Sequence, residues 1–150
     1  MLIPPLLHLY RLRRQEWLQT KELKELQRRK LIAIINHAYR NVRYYKSLFD
    51  SAGVKPDDIK STEDLAKIPI TRREVLQRLP AGDITVNNAD LTRCKRILTS
   101  GSSGRPLMVY RTRREHNLYD IGWARSFLDN GARIWDRNAD YHSFGLQYRK

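Results

Sequence analysis

The spacing of hydrophobic and polar residues changes near residue 80, and the two patterns predict different secondary structure. From Glu16 to Tyr39 there is no glycine or proline, and apolar residues recur at helical intervals: Leu23, Leu26, Leu31, Ile34, Ile35 and Ala38. This spacing predicts one long amphipathic helix. A short second helix is predicted around Tyr44–Phe49, and Gly53 is well placed to end it.

Three further helix starts are indicated by a hydroxyl residue followed three positions later by a carboxylate, the pattern of a capping box. The pairs are Ser61 with Asp64, Thr71 with Glu74, and Thr112 with Glu115. Pro69 and Pro80 end the first two of these helices. The third is expected from Arg113 to about Leu128, before Gly131. Residues 1–80 are therefore predicted to form a mainly helical segment.

Beyond residue 80, short runs of β-branched and apolar residues are typical of strands. The predicted strands are Ile84–Val86, Arg96–Thr99 and Leu107–Tyr110. Together with the helix that follows them, they predict an α/β fold, with the helical segment over residues 1–80 and the start of an α/β subdomain over residues 81–150.

The segment from Thr99 to Pro106 lies between the last two predicted strands and has an unusual composition. It holds the hydroxyls of Thr99, Ser100, Ser102 and Ser103, the glycines Gly101 and Gly104, and the cation of Arg105. Glycines let the main chain approach an anion, hydroxyls add rotatable donors, and arginine adds charge, so this chemistry suits a phosphate-binding loop. The plain alternative is an exposed turn between two strands. The segment is not a Walker loop, because its glycines are too close together and a strand, not a helix, follows.

The net charge of +13 at pH 7 raises a competing hypothesis, a module that binds nucleic acid or another polyanion. The basic excess is largest in residues 1–60, where it is interleaved with Glu16, Glu22 and Glu25, and no groove-reading motif accompanies it. A solvated basic helix face is the preferred interpretation. A non-catalytic interaction protein, whose long helix docks on a partner, is a third hypothesis.

The cysteine content indicates the cellular compartment, and the hydropathy indicates whether the chain enters a membrane. The single cysteine, Cys94, cannot form an internal disulfide, and the start of the chain lacks the pattern of an export signal. No apolar run has the length of a membrane helix. A cytoplasmic protein without a membrane partner is therefore expected. The four histidines are scattered without metal-ligand spacing, so no metal site is predicted.

Four ordered segments resemble the phenylacetate-CoA ligase-like adenylate-forming enzymes, a family that includes relatives in capsular polysaccharide biosynthesis. The segments are Leu31–Tyr45, Gly53–Pro56, Asp64–Thr71 and Thr99–Pro106. The resemblance covers most of residues 20–140 and is confined to the N-terminal part of such enzymes. It implies that the fold is the incomplete N-terminal part of an adenylate-forming large domain, with residues 81–150 beginning its ATP-binding subdomain.

The resemblance also implies a chemistry for the loop. In this family a carboxylate attacks the α-phosphate of ATP to give an acyl-adenylate and pyrophosphate, and a thiol such as coenzyme A then takes the acyl group. ATP, Mg²⁺ and coenzyme A are implied on this basis alone. The implied nucleotide-binding residues are Thr99, Ser100, Gly101, Ser102, Ser103, Gly104 and Arg105, with Thr99 expected to anchor the loop to its strand. No catalytic residue is assigned.

Family members are much longer than this chain. The adenine pocket, the ribose-binding acidic residue, the hinge and the C-terminal domain with its catalytic lysine have no counterpart in these 150 residues. The chain is therefore expected to be inactive alone, while a full-length enzyme would take a small carboxylate and ATP. Nucleic acid is not expected as a partner, and the possibility of a homo-oligomer stays open.

Overall fold

The computed structural model describes residues 5–99, 106–133 and 136. Over these residues the α-helices are α1 (Pro5–Gln15), α2 (Thr20–Asn41), α3 (Arg43–Ser51), α4 (Arg73–Arg78), α5 (Ala81–Ile84) and α6 (Arg113–Asp129). Short 3-10 helices span Pro56–Asp58, Glu63–Lys67 and Leu91–Arg93, and two strands, β1 (Lys95–Leu98) and β2 (Met108–Arg111), form an antiparallel pair.

The long predicted helix is present as α2, although it begins later than expected. Residues 16–19 form a turn, and the N–H of Gln19 is capped by the Glu22 carboxylate at 3.0 Å. The turn lets the preceding residues form α1, a helix that the sequence analysis did not predict. Helix α1 packs against α6, and ion pairs connect the two regions: Arg13 with Asp129 at 3.5 Å and Glu16 with Arg125 at 3.2 Å. A contact with a distant part of the chain therefore accompanies the change in the start of α2.

The hydrophobic core lies between α2, α3 and the turns that follow them. Ile35, Phe49 and Ile59 are buried together, with Leu31, Tyr39, Val54 and Ile68 packed around them. The rings of Tyr39 and Phe49 meet edge to face at 5.8 Å. The predicted second helix is confirmed as α3, and Gly53 follows its end with φ of +65°, a conformation that favours glycine.

The three predicted helix starts have different outcomes. Thr112 and Glu115 form the expected capping box at the start of α6, with reciprocal bonds of 3.2 and 2.7 Å. Asp64 accepts the Ser61 N–H at 3.0 Å, but the element that follows is a 3-10 helix and not an α-helix. The cap at Thr71 is wrong: α4 begins after Arg72, whose side chain makes no capping bond.

The predicted strand Ile84–Val86 is also wrong, because Ile84 ends the short helix α5. Pro80 stands immediately before that helix with the extended geometry of an N-cap, and Asp83 lies in its first turn, where a carboxylate is favourable. The Thr85 hydroxyl bonds the Ala81 carbonyl at 2.8 Å. A β-branched run forms a strand only when a neighbouring strand satisfies its backbone, and here local helix-start chemistry prevails.

The other two predicted strands are confirmed within one residue at their ends. β1 and β2 pair in the register Lys95↔Arg111 to Leu98↔Met108, so the serine- and glycine-rich segment connects them. The α/β expectation holds only in part: the described residues are mainly helical with one small two-stranded sheet.

Candidate phosphate-binding site

The candidate loop joins the ends of β1 and β2, as the sequence predicts. Of its residues, Thr99 and Pro106 are described, whereas Ser100, Gly101, Ser102, Ser103, Gly104 and Arg105 lie outside the described residues. The structure therefore defines the base of the loop, and the contribution of those six residues stays a prediction.

The base of the loop is closed by a pair of bonds across the hairpin. The Thr99 N–H donates to the Leu107 carbonyl at 3.0 Å, and the Leu107 N–H donates to the Thr99 Oγ1 at 3.1 Å. A side-chain oxygen thus takes the place of a backbone acceptor in the last rung of the ladder. Thr99 is thereby tied to both the backbone N–H and the carbonyl of Leu107, and its role in nucleotide binding stays a prediction.

A third hydrogen bond connects α4 with Thr99 at the base of the loop. The Arg73 Nη2 donates to the Thr99 Oγ1 at 2.8 Å across 26 residues of sequence. The Nε of Arg73 is shielded from solvent and the Thr99 side chain is half-buried, so the contact is partly removed from water. Sequence analysis missed Arg73, because nothing in the run Thr71-Arg72-Arg73 tells which arginine turns toward the hairpin.

A cavity of about 630 Å³ lies beside the hairpin and under α2 and α3. Its walls are largely apolar, and the polar side chains among them are His37, Tyr45, Thr71, Thr85, Cys94, Thr112 and Glu115. The size is in the range of small-molecule pockets. An apolar segment of protein would suit the same walls, so the cavity by itself assigns no substrate.

An exposed polar cluster connects α2 with α3. Asp50 accepts from Lys46 Nζ at 2.6 Å and from the Tyr39 hydroxyl at 2.7 Å. The bond from Lys46, followed by that from Tyr39, lowers the pKa of Asp50, and the same carboxylate raises the pKa of both partners. This cluster joins two helices at the rim of the core and is a structural contact.

Several basic side chains of the N-terminal region are paired with carboxylates. Arg13 pairs with Asp129, and Arg28 makes a two-pronged contact with Glu25 at 2.8 and 2.9 Å. Such pairing lowers the local positive potential that a polyanion would meet. It favours the interpretation of α1 and α2 as solvated basic surfaces.

The described residues carry neither a metal-binding cluster nor a membrane-spanning helix. In residues 5–99, 106–133 and 136, no three His, Cys, Asp or Glu side chains are grouped so that they could hold a metal ion. Over the same ranges, no helix combines the length and the apolar character needed to cross a bilayer. No described residue is therefore assigned to the Mg²⁺ that the family resemblance implies.

Comparison with known proteins identifies four relatives, all of them phenylacetate-coenzyme A ligases. Phenylacetate-coenzyme A ligase of Aromatoleum evansii is 35% identical over 126 residues, which are 83% of this chain and 28% of that enzyme. The enzyme of the same name from Thermus thermophilus is 32% identical over 132 residues, 87% of this chain and 29% of its own length. That of Escherichia coli is 32% identical over 126 residues, with 83% and 28% covered. No protein-family model matches the chain.

These similarities confirm the resemblance that the four sequence segments indicate. The chain is similar to phenylacetate-coenzyme A ligases over most of its length, and it spans about 28% of the length of the relatives it matches. That coverage is consistent with an N-terminal portion of such an enzyme.

Proposed function

We propose that this chain supplies the phosphate-binding part of an ATP-dependent, adenylate-forming carboxylate ligase of the phenylacetate-CoA ligase type. In the implied reaction, a carboxylate attacks the α-phosphate of ATP, pyrophosphate leaves, and a thiol such as coenzyme A accepts the acyl group. The observation that carries the proposal is a loop of phosphate-binding composition on an anchored hairpin, in a chain with 32–35% identity to those ligases.

The physical task of the loop is to hold the leaving phosphates. Their charge grows as the bond to the α-phosphate breaks, and donors that are already oriented stabilise it without reorganisation. We assign this task to the hydroxyls of Ser100, Ser102 and Ser103, the N–H groups of Gly101 and Gly104, and the cation of Arg105. Mg²⁺ would share the charge with them.

The two-part organisation also belongs to the proposal. Residues 1–80 would be a mainly helical segment, and residues 81–150 would begin the ATP-binding subdomain of a larger α/β domain. A cytoplasmic location is part of the same proposal.

We further propose that these 150 residues do not adenylate an acid by themselves. The similarity extends over about 28% of the relatives' length, so the activity of a whole ligase would need groups beyond the matched part. The chain would form one wall of a site whose acyl and adenine pockets lie on the rest of a longer protein.

Nucleotide binding by the purified chain tests the role of the loop. Titration with ATP and Mg²⁺, followed by calorimetry, should show binding that Gly101→Val or Gly104→Val weakens at least tenfold, because a β-branched side chain blocks the close approach of phosphate to the main chain. The matched control is Gly122→Val on α6, where an added Cβ meets nothing within 4 Å. Equal affinity for all four proteins would refute the role of the loop.

Two further outcomes distinguish the remaining hypotheses. Acid-dependent exchange of labelled pyrophosphate into ATP by the 150-residue chain would contradict its inactivity alone. Retention on heparin or DNA that falls steeply with salt, in a chain that binds no ATP, would instead support the polyanion-binding hypothesis.

A further inference from the structure

The base of the candidate loop is held by one oxygen atom with two donors. The Thr99 Oγ1 accepts from the Leu107 N–H at 3.1 Å and from the Arg73 Nη2 at 2.8 Å. A hydroxyl oxygen has two acceptor positions, so both are used. One donor lies at the far end of the loop, and the other comes from a helix outside the hairpin.

We propose that Arg73 is a positioning residue of the phosphate-binding loop, acting through the Thr99 hydroxyl. This inference rests on the proposed function and deepens it, because it names a group outside the loop on which the loop depends. The Arg73 guanidinium on α4 donates to the Thr99 hydroxyl, and the same hydroxyl accepts the Leu107 N–H. One oxygen atom therefore holds both ends of the loop.

The charge and the length of the Arg73–Thr99 hydrogen bond favour a stable restraint on the Thr99 side chain. A hydrogen bond from a charged donor is stronger than one between neutral groups, and 2.8 Å is a short distance for a guanidinium and a neutral oxygen. The bond itself is partly buried, so solvent competes less for it. Ile68, five residues before the start of α4, packs against the hydrophobic core. The bond therefore connects the hairpin with the helical part of the chain.

A direct bond from Arg73 to a phosphate would be a different role, and a double-mutant cycle separates the two. If Arg73 acts through Thr99, then Arg73→Met and Thr99→Val each weaken binding of MgATP, and the double variant is no weaker than the worse single variant. If Arg73 contacts phosphate itself, the two losses add. Thr99→Val is suited to this purpose because it keeps the branched shape and removes the oxygen.

The expected loss for Arg73→Met is about tenfold or more in the dissociation constant for MgATP, since net hydrogen bonds to charged groups correspond to roughly that factor. Arg73→Lys, which retains a charged donor, should recover part of the affinity. Arg78→Met is the matched control, because Arg78 is an exposed arginine at the other end of α4. Its affinity should equal that of the unmodified chain.

Amide hydrogen exchange gives a readout that does not depend on nucleotide. Without the guanidinium the Thr99 hydroxyl is less fixed, so Arg73→Met should speed exchange at the Leu107 N–H relative to amides in the middle of β2, and Arg78→Met should not. The same measurement shows whether each variant is folded. If Arg73→Met leaves Leu107 exchange unchanged, or if its loss of affinity adds to that of Thr99→Val, the positioning role is overturned.

The two proposals fail in different ways. A chain that binds no MgATP under any condition refutes the phosphate-binding function, while faster Leu107 exchange in Arg73→Met would still establish the link between α4 and the hairpin. A chain that binds MgATP with the same affinity in Arg73→Met and Arg78→Met refutes the positioning role and leaves the function intact.

Discussion

The sharpest test of the fold compares the same substitution at two isoleucines that differ in burial. Ile59 is 1% exposed and lies in the core with Ile35 and Phe49, whereas Ile70 is 88% exposed. Isoleucine-to-alanine substitution removes three carbons at either position. The chemistry is therefore matched and only the environment differs.

The expected loss at Ile59 follows from the burial of those carbons. At about 0.8 kcal/mol for each buried carbon, the lost transfer free energy is roughly 2.4 kcal/mol. The cavity left behind adds to this, so a total of about 3 kcal/mol is expected for Ile59→Ala. At Ile70 the same carbons are already in water, and the free energy of unfolding should change by no more than about 0.5 kcal/mol.

Urea unfolding followed by circular dichroism measures both values. Ile59→Val should lower the free energy of unfolding by only about 1 kcal/mol, so it can still be measured if the alanine variant is largely unfolded in water. A loss below about 1 kcal/mol for Ile59→Ala, or equal losses at the two positions, would show that the core described here does not hold the chain together.

Two other predictions concern local electrostatics and helix capping. Asp64 accepts from Lys67 Nζ at 2.6 Å and from the N–H groups of Lys60 and Ser61 at 3.0 Å, and these bonds, that of Lys67 first, lower its pKa from the ordinary 3.8. A carboxyl with a depressed folded-state pKa stabilises the fold above its unfolded-state pKa and loses that contribution as pH falls through the folded-state value. The stability difference between the unmodified chain and Asp64→Asn, from thermal unfolding at several pH values, should therefore be greatest at neutral pH and shrink below about pH 4; a difference that does not vary with pH would contradict this assignment. At the start of α6, Thr112→Ala should lower the free energy of unfolding by about 1 kcal/mol, because it removes the acceptor for the Glu115 N–H. Ser126→Ala, on the exposed face of the same helix, should be neutral, and a similar loss in both variants would argue against a specific cap.

Much of the local structure could be predicted because it depends on neighbouring residues. The apolar spacing after Leu23 is sufficient for α2, Gly53 and Gly131 take the positive φ that ends a helix, and the Thr112 cap is complete within four residues. The pairing of β1 with β2 is also local, since one short loop brings the strands together. The composition of that loop gave the candidate chemistry and, with three other segments, the family resemblance.

Other features depend on residues far apart in the sequence. Helix α1 packs on α6, and no pattern within residues 5–15 encodes that partner. The run Ile84–Val86 has strand-forming residues but forms no strand, because the described part of the chain offers it no neighbouring strand and Pro80 starts a helix before it. Sequence patterns indicate what a segment prefers, while the partner that satisfies its backbone decides the outcome.

The candidate site also combines features set by neighbouring residues with features set by residues far apart in the sequence. By itself, the sequence determined that a hydroxyl- and glycine-rich segment lies between two strands, since residue type and spacing suffice for that. Only the tertiary structure selected Arg73 from two adjacent arginines and placed its guanidinium on Thr99, 26 residues away. The physical reason is that a hydrogen bond needs two atoms within about 3 Å. Here the two atoms belong to residues 26 positions apart in the sequence, and only the fold of the chain brings them together, which no local pattern specifies.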